Sequence, residues 1–268
     1  MMAGDTPFLS VQNVWKSYPA CRSPWQRTGT MTPVLRGVCF TLVKGGTAGL
    51  LGESGSGKST LSRLILGVEK PDAGDILIEG QPVDRWRKAH RGKISVVFQD
   101  HTSSVDPRLS VEEIIAEGIR AVPGRRAGRA DVLEMLERVE LPARLARRLP
   151  HELSGGQVQR VCIARALASR PELIVFDEAV SSLDVSVQTE IVDLLERVKG
   201  ETGYLFITHD IQVAAMLCDK MLILQHGIIA EEFEVRTMGE IASPCLQRIL
   251  SSTIVFQSTF RDDTTRSL

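Results

Sequence analysis

The stretch "TAGLLGESGSGKSTLSRLILGV", Thr47 to Val68, decides the fold. A short apolar run of β-prone residues enters a glycine-rich turn, and the turn opens a helix whose pattern stops near Gly67. Inside it "GESGSGKS", Gly52 to Ser59, matches G-x-x-x-x-G-K-[ST] in the strand-to-helix setting that a phosphate grip requires. Glycines at 52, 55 and 57 let backbone N–H groups turn inward around phosphate oxygens, where Cβ atoms would obstruct. Lys58 is expected to reach the β- and γ-phosphates of a nucleotide and Ser59 to ligate Mg²⁺, with the helix N-terminus adding its dipole.

A complement lies downstream. "LIVFDE", 173–178, reads as a buried parallel strand that delivers polar residues at its C-terminal end, where open α/β sheets bind ligands. Asp177 is placed to hold Mg²⁺, and Glu178 to polarise an attacking water. Three other positions carry two readings each. His209, ending "YLFITH", is a ligand contact or a structural histidine. The Gln99 amide touches Mg²⁺ or the lytic water, or caps a turn. Tyr18 stacks on a base or packs as any aromatic does. "LSGGQVQRVCIARAL", from Leu153, raises a further question: Ser154, Gly155 and Gly156 open a second helix with N–H groups, a hydroxyl and a dipole pointing one way. In-line attack on a γ-phosphate favours a second donor set facing the first, from this chain or from another.

Composition bounds the rest. The chain has 268 residues, room for one large domain or two small ones, and its 43% hydrophobic content supplies a sizeable core. A net charge of −1 gives no electrostatic case for nucleic acid. Five cysteines without C-x-x-C spacing argue against a zinc site or disulfide framework, and fit buried thiols in a reducing cytosol. No signal-peptide pattern is expected at the N-terminus, and no apolar run approaches the ~20 residues that span a bilayer.

Strands are expected in "PFLSVQNVWKSY", "VLRGVCFTLVKGG", "GDILIEGQPV", "KISVVFQD", "ELIVFDE", "GYLFITHD" and "KMLILQHGIIA", with residues 20–33 as an exposed hairpin or loop. "SVEEIIAEGIR" and "ADVLEMLERVEL" have helical periodicity about a Pro/Gly/Arg turn, and further helices are expected near 156–169, 187–199 and 211–217. An α/β core is thus interrupted by a helical insert. Residues 120–148 hold eight Arg against four acids, which reads as a solvated helical face, with a surface near anionic lipid as the alternative.

Taken in order, residues 52–59, Gln99, "LSGGQ" 153–157, "LIVFDE" 173–178, "SSLD" 181–184 and His209 resemble the ATP-binding cassette ATPases over about residues 8 to 232. The resemblance implies a P-loop NTPase (RecA-like) core with an antiparallel β subdomain and an inserted helical subdomain. The chain then divides into a flexible 1–7, one cassette over 8–235 (core 8–100 and 159–235, helical subdomain 101–158), and a short extension over 236–268. It implies ATP and Mg²⁺ as ligands, with Tyr18 on adenine and Gly52, Glu53, Ser54, Gly55, Ser56, Gly57, Lys58, Ser59 and Thr60 around the phosphates. Ser59, Gln99 and Asp177 would hold the metal, while Glu178, His209 and Gln99 serve the reaction. In that family two cassettes pack head to tail, so Ser154, Gly155, Gly156 and Gln157 would close over the partner's nucleotide and Asp184 would lie at the interface.

Within the family, "FQDHTSSVDPRLSVEEI" and "SLDVSVQTEIVDLL" resemble the peptide and nickel importers, and "DEAVSSLD" is most like the second ATP-binding subunit of a nickel importer. The end, "AEEFEVRTMGEIASPCLQRILSSTIV", lacks the "HPYT" segment of peptide importers and holds only Cys245, which puts an iron–sulfur site in doubt. The resemblance implies nickel as cargo, two integral-membrane permease subunits, an extracytoplasmic binding protein, and a second ATPase that is a paralogue or another copy of the chain. No nucleic-acid partner is implied, and the place is the cytoplasmic face of the inner membrane, held peripherally. A dipeptide or oligopeptide importer is the alternative, and a soluble non-transport cassette a further one.

Overall fold

Residues 173–176 and 204–207 are apolar or aromatic throughout, so strands made of them need cover on both faces. The computed structural model describes residues 7–19, 31–100 and 103–240. In it β7 (Leu173–Asp177) and β8 (Gly203–Thr208) run parallel, side by side. Leu173, Val175, Leu205 and Ile207 enter one core, while Ile174, Phe176, Tyr204 and Phe206 enter the other. Each such side chain contributes roughly 1.5–3 kcal/mol on burial, so this strand pair anchors the domain.

The sheet has six strands in the order β10 (Ile228–Glu234), β9 (Lys220–Gln225), β3 (Thr47–Leu51), β8, β7 and β6 (Ile94–Phe98). All pairings are parallel except β10 with β9. β8 therefore separates β3, which feeds the glycine loop, from β7, which ends in the two acids. A second, antiparallel sheet has the order β2 (Met31–Leu42), β1 (Leu9–Pro19), β4 (Ala73–Ile78) and β5 (Gln81–Pro82). It packs with α1 (Lys58–Ile65) to form one core. The other core gathers α3 (Val111–Arg120), α4 (Arg129–Arg138), α5 (Gly155–Ala168), α6 (Val185–Val198) and α7 (Ile211–Leu217). The architecture is the P-loop NTPase fold expected, with an antiparallel sheet and an inserted run of helices.

Three expectations need correction. "KMLILQHGIIA" makes two strands, because His226 (φ 50°) and Gly227 (φ 80°) are both left-handed and form a tight hairpin turn. Glu79 (φ 48°) and Gly80 (φ 76°) do the same to "GDILIEGQPV". Residues 31–33 are strand, paired antiparallel with Ser17, Tyr18 and Pro19, which agrees with the hairpin reading rather than the loop, while 20–30 lie outside the described residues, as do 1–6, 101–102 and 241–268. Cys39 is exposed, its sulfur accepting from the Asn13 N–H at 3.1 Å, whereas Cys162 and Cys218 are buried as expected. An unexpected helix, α2 (Val83–Ala89), follows β5 because Trp86 anchors it, fully buried edge-on to Phe8.

The inserted helices are tied to the core by a close approach and by arginines. A Cβ at Gly118 of α3 would sit 2.0 Å from the Arg165 carbonyl of α5, so the two helices touch backbone to side-chain position. Arg125 and Arg138 donate to the last carbonyls of α5 and α6, at Ala168 (2.9 Å) and Val198 (3.4 Å). Part of the basic insert thus caps helices. Gly118→Ala is expected to lower the unfolding free energy by about 1–3 kcal/mol despite alanine's better helix propensity. A urea midpoint at or above the parent's would show that α3 and α5 separate easily to take a methyl group.

Candidate nucleotide site

Strand register brings the candidate residues to one edge. Leu51 pairs with Thr208, Ile207 with Asp177, and Asp177 with Phe98, so β3, β8, β7 and β6 end level. The next residues along each strand are Gly52, His209, Glu178 and Gln99. Parallel strands deliver their C-terminal ends to a single side, and that is where helix N-termini also point.

The loop after β3 is built around absent side chains. A Cβ at Gly52 would stand 2.3 Å from the Leu224 carbonyl oxygen. Gly57 has φ 110° and would press 2.7 Å against Leu35 of β2. Gly57 is also the N-cap of α1, and no side chain satisfies the first N–H groups of that helix. They are left for an anion. The Ser56 hydroxyl is buried without a hydrogen-bond partner. Lys58 is only 6% exposed and donates to the Gly52 carbonyl at 2.7 Å and the Glu53 carbonyl at 3.0 Å. Burial pushes its pKa below the ordinary lysine value, opposed by the nearby Glu178 and Asp177 carboxylates. An open helix N-terminus, an orphaned hydroxyl and a buried ammonium together make a donor set that fits a nucleotide's phosphates.

The acids sit across from this loop. Glu178 Oε1 is 3.9 Å from Lys58 Nζ. Its φ of 51° places a non-glycine residue in the left-handed region, and its N–H donates to the Ile207 carbonyl at 2.8 Å. Strain of order 1–3 kcal/mol is thus held in place by the adjacent strand. Burial raises the Asp177 pKa, with the Glu178 charge adding to it and Lys58 and Arg63 working against it. The half-buried Asp177 carboxylate at the end of β7 and the exposed Ser59 in the first turn of α1 are oxygen ligands of the kind that suits a hard divalent cation such as Mg²⁺. Gln99 and His209 are exposed at the same edge. Beyond His209, Asp210 caps α7 by accepting from Gln212 and Val213, so the histidine stands between a strand and a capped helix.

Tyr18 lies near the end of β1, its hydroxyl donating to Glu69 Oε2 at 2.5 Å. Arg63 of α1 pairs with the same carboxylate at 2.8 Å, and Lys16 Nζ is 5.6 Å from the ring centroid. These holding residues were not legible beforehand, since nothing in the sequence links Tyr18 to a carboxylate fifty-one positions later.

Ser154 is the N-cap of α5, accepting from the Gln157 N–H at 3.3 Å, while its own N–H donates to Gln157 Oε1 at 3.1 Å. Ser154, Gly155, Gly156, Gln157 and Asp184 line a cavity of about 420 Å³, and none of residues 52–60 reaches it. Arg160 and Glu190, 3.3 Å apart, also line it. The N-terminus of α5 thus opens on a cavity separate from the glycine loop.

Comparison with known proteins bears on both. A family model described as ABC transporter matches residues 35–181. The chain is 43% identical to a nickel import ATP-binding protein, NikE, of Rhodospirillum rubrum, over 91% of this chain and 92% of that protein. It is 40% identical to the metal-staphylopine import system ATP-binding protein CntF of Staphylococcus aureus, over 92% of this chain and all of that one. Among solved structures, the dimeric post-hydrolysis state of the ATP-binding cassette MJ0796 bound to ADP and Pi is similar, with TM-score 0.73, 31% identity, and coverage of 85% and 99%. So is cbiO1 of Clostridium perfringens, part of the complex cbiONQ, with TM-score 0.74, 27% identity, and coverage of 93% and 96%. The chain belongs to the ABC transporter family, as one of its ATP-binding and ATP-hydrolysing subunits.

Proposed function

We propose that the chain energises import of nickel, or of a nickel-type metal complex, by binding and hydrolysing ATP at the cytoplasmic face of the membrane. The observation that carries the cargo is similarity along nearly the whole chain to import ATPases named for nickel and for metal-staphylopine. No helix among the described residues is long and apolar enough to cross a membrane. Two permease subunits, an extracytoplasmic binding protein and a second ATPase, a paralogue or another copy of this chain, complete the assembly in this reading.

Each residue of the site has a part. The loop Gly52–Thr60 wraps the phosphates, and Lys58 exchanges the Gly52 and Glu53 carbonyls for β- and γ-phosphate oxygens. Tyr18 stacks on adenine. Ser59, Asp177 and Gln99 hold Mg²⁺, which supplies charge neutralisation on the phosphates when bound. Glu178 accepts a proton from the attacking water, oriented by its strained backbone, and His209 donates to the γ-phosphate. Ser154, Gly155, Gly156 and Gln157 cover the partner's nucleotide, with Asp184 beside them at the interface.

Burial raises the folded-state pKa of Asp177, so its ionised form destabilises the nucleotide-free protein at neutral pH. Asp177→Asn is therefore expected to raise the nucleotide-free Tm near pH 7 while abolishing turnover. Below the unfolded carboxyl pKa both states bind the proton and the gain disappears. A Tm unchanged at pH 7 would remove the desolvation argument. Glu178→Gln is expected to keep ATP binding and lose at least about a hundredfold in turnover within the complete complex. Normal hydrolysis there overturns its role. Cells lacking the chain should lose uptake of labelled nickel and keep uptake of a labelled dipeptide. The reverse result assigns the cargo to peptides.

A further inference from the structure

At the opposite end of the parallel sheet from the nucleotide edge lies a cavity of about 550 Å³, bounded by Ile94 at the start of β6 and by the C-terminal ends of α2 and α3. Arg87, Lys88, His90 and Arg91 line one wall and Arg120 the other, with Asp84 the sole carboxylate of the lining. Among the described residues no carboxylate lies within 4.0 Å of Arg87, Lys88, Arg91 or Arg120. Asp84 already faces Lys70 at 3.8 Å. His90 is fixed by stacking on Trp86, ring centroids 4.2 Å apart, with Nδ1 2.9 Å from the Trp86 carbonyl.

Helix ends account for part of this charge. Three C-termini, that of α1 beside Gly67 and those of α2 and α3, present up to about half a negative charge each, which basic residues in a last turn offset. Against them and Asp84 stand three guanidinium groups and one ammonium, with Glu113 near enough to Arg120 to feel its charge, so the cavity keeps roughly one positive charge in excess. The four basic side chains are exposed, so water screens part of their mutual repulsion, and an anion between them relieves the remainder. Guanidinium forks match phosphate oxygens two at a time, and a phosphoryl dianion supplies the missing charge.

We infer that this basic cavity is a second anion site, separate from the nucleotide site, that takes a phosphoryl dianion. Such a group comes from a small soluble phosphate compound or from a lipid headgroup, and the two sources are separable. The full chain, saturated with Mg-ADP so that the loop at 52–60 is filled, is titrated calorimetrically with pyrophosphate. It is then sedimented with phosphatidylcholine vesicles with and without phosphatidic acid. The variants are Arg87→Gln/Arg91→Gln on one wall and, independently, Arg120→Gln on the other, each checked for unaltered ADP affinity.

Saturable 1:1 pyrophosphate binding, weakened at least about tenfold in both variants, supports the site with a soluble ligand. Phosphatidate-dependent sedimentation lost in both variants, with pyrophosphate silent, supports it with a lipid headgroup. Binding of neither probe by the parent, or equal binding by parent and variants, overturns the inference.

Discussion

The buried ammonium of Lys58 is held by two backbone carbonyls of the loop that precedes it, with a carboxylate 3.9 Å away. Carbonyl oxygens are weaker partners for a cation than phosphate oxygens, so the contact holds the side chain in place without trapping it. Everything nearby depends on that cradle. Gly52 has to approach the Leu224 carbonyl, Gly57 has to fit against Leu35, and β3 has to end level with β7 and β8 for Glu178 to face the lysine. The two cores on either face of the sheet keep the strand ends level.

A second constraint is one of separation. The N-terminus of α5 opens on its own cavity, shared with Asp184 and Glu190 and lined by none of the glycine-loop residues. Ser154 and Gln157 are meanwhile paired with each other across the first turn. Arg160, reaching the Val139 carbonyl at 3.1 Å and Glu140 at 2.9 Å, ties α5 to the end of α4. The N-terminus of α5 is thereby fixed relative to the end of α4. In our reading the two donor sets work on different nucleotides, and two chains are needed to complete either site.

Much of this was legible in the sequence because the decisive segments carry strong local signals. The glycine loop between strand and helix, the apolar runs of β7 and β8, and the Ser154 cap at "LSGGQ" each state their local geometry. Two hairpins were not legible, since Glu79-Gly80 and His226-Gly227 put a non-glycine residue at positive φ where Asn or Asp is the usual sign. α2 was hidden for another reason: seven residues with one buried tryptophan show no period, and packing on Phe8 decides the matter. The arginines of the insert looked like one solvated face. Arg125 and Arg138 in fact cap helices, while Arg120 faces the basic cavity.

The central claim is that each nucleotide is gripped by the glycine loop of one chain and covered by the α5 N-terminus of another. It is tested most directly with Ser154→Arg, which places a bulky cation at that N-terminus without touching residues 52–60. ATP affinity of the isolated variant is measured beside hydrolysis by the complete complex. The account predicts parent-like affinity with hydrolysis lost at the site the variant completes. Loss of ATP affinity in the isolated chain would contradict it, because Ser154 would then serve its own nucleotide.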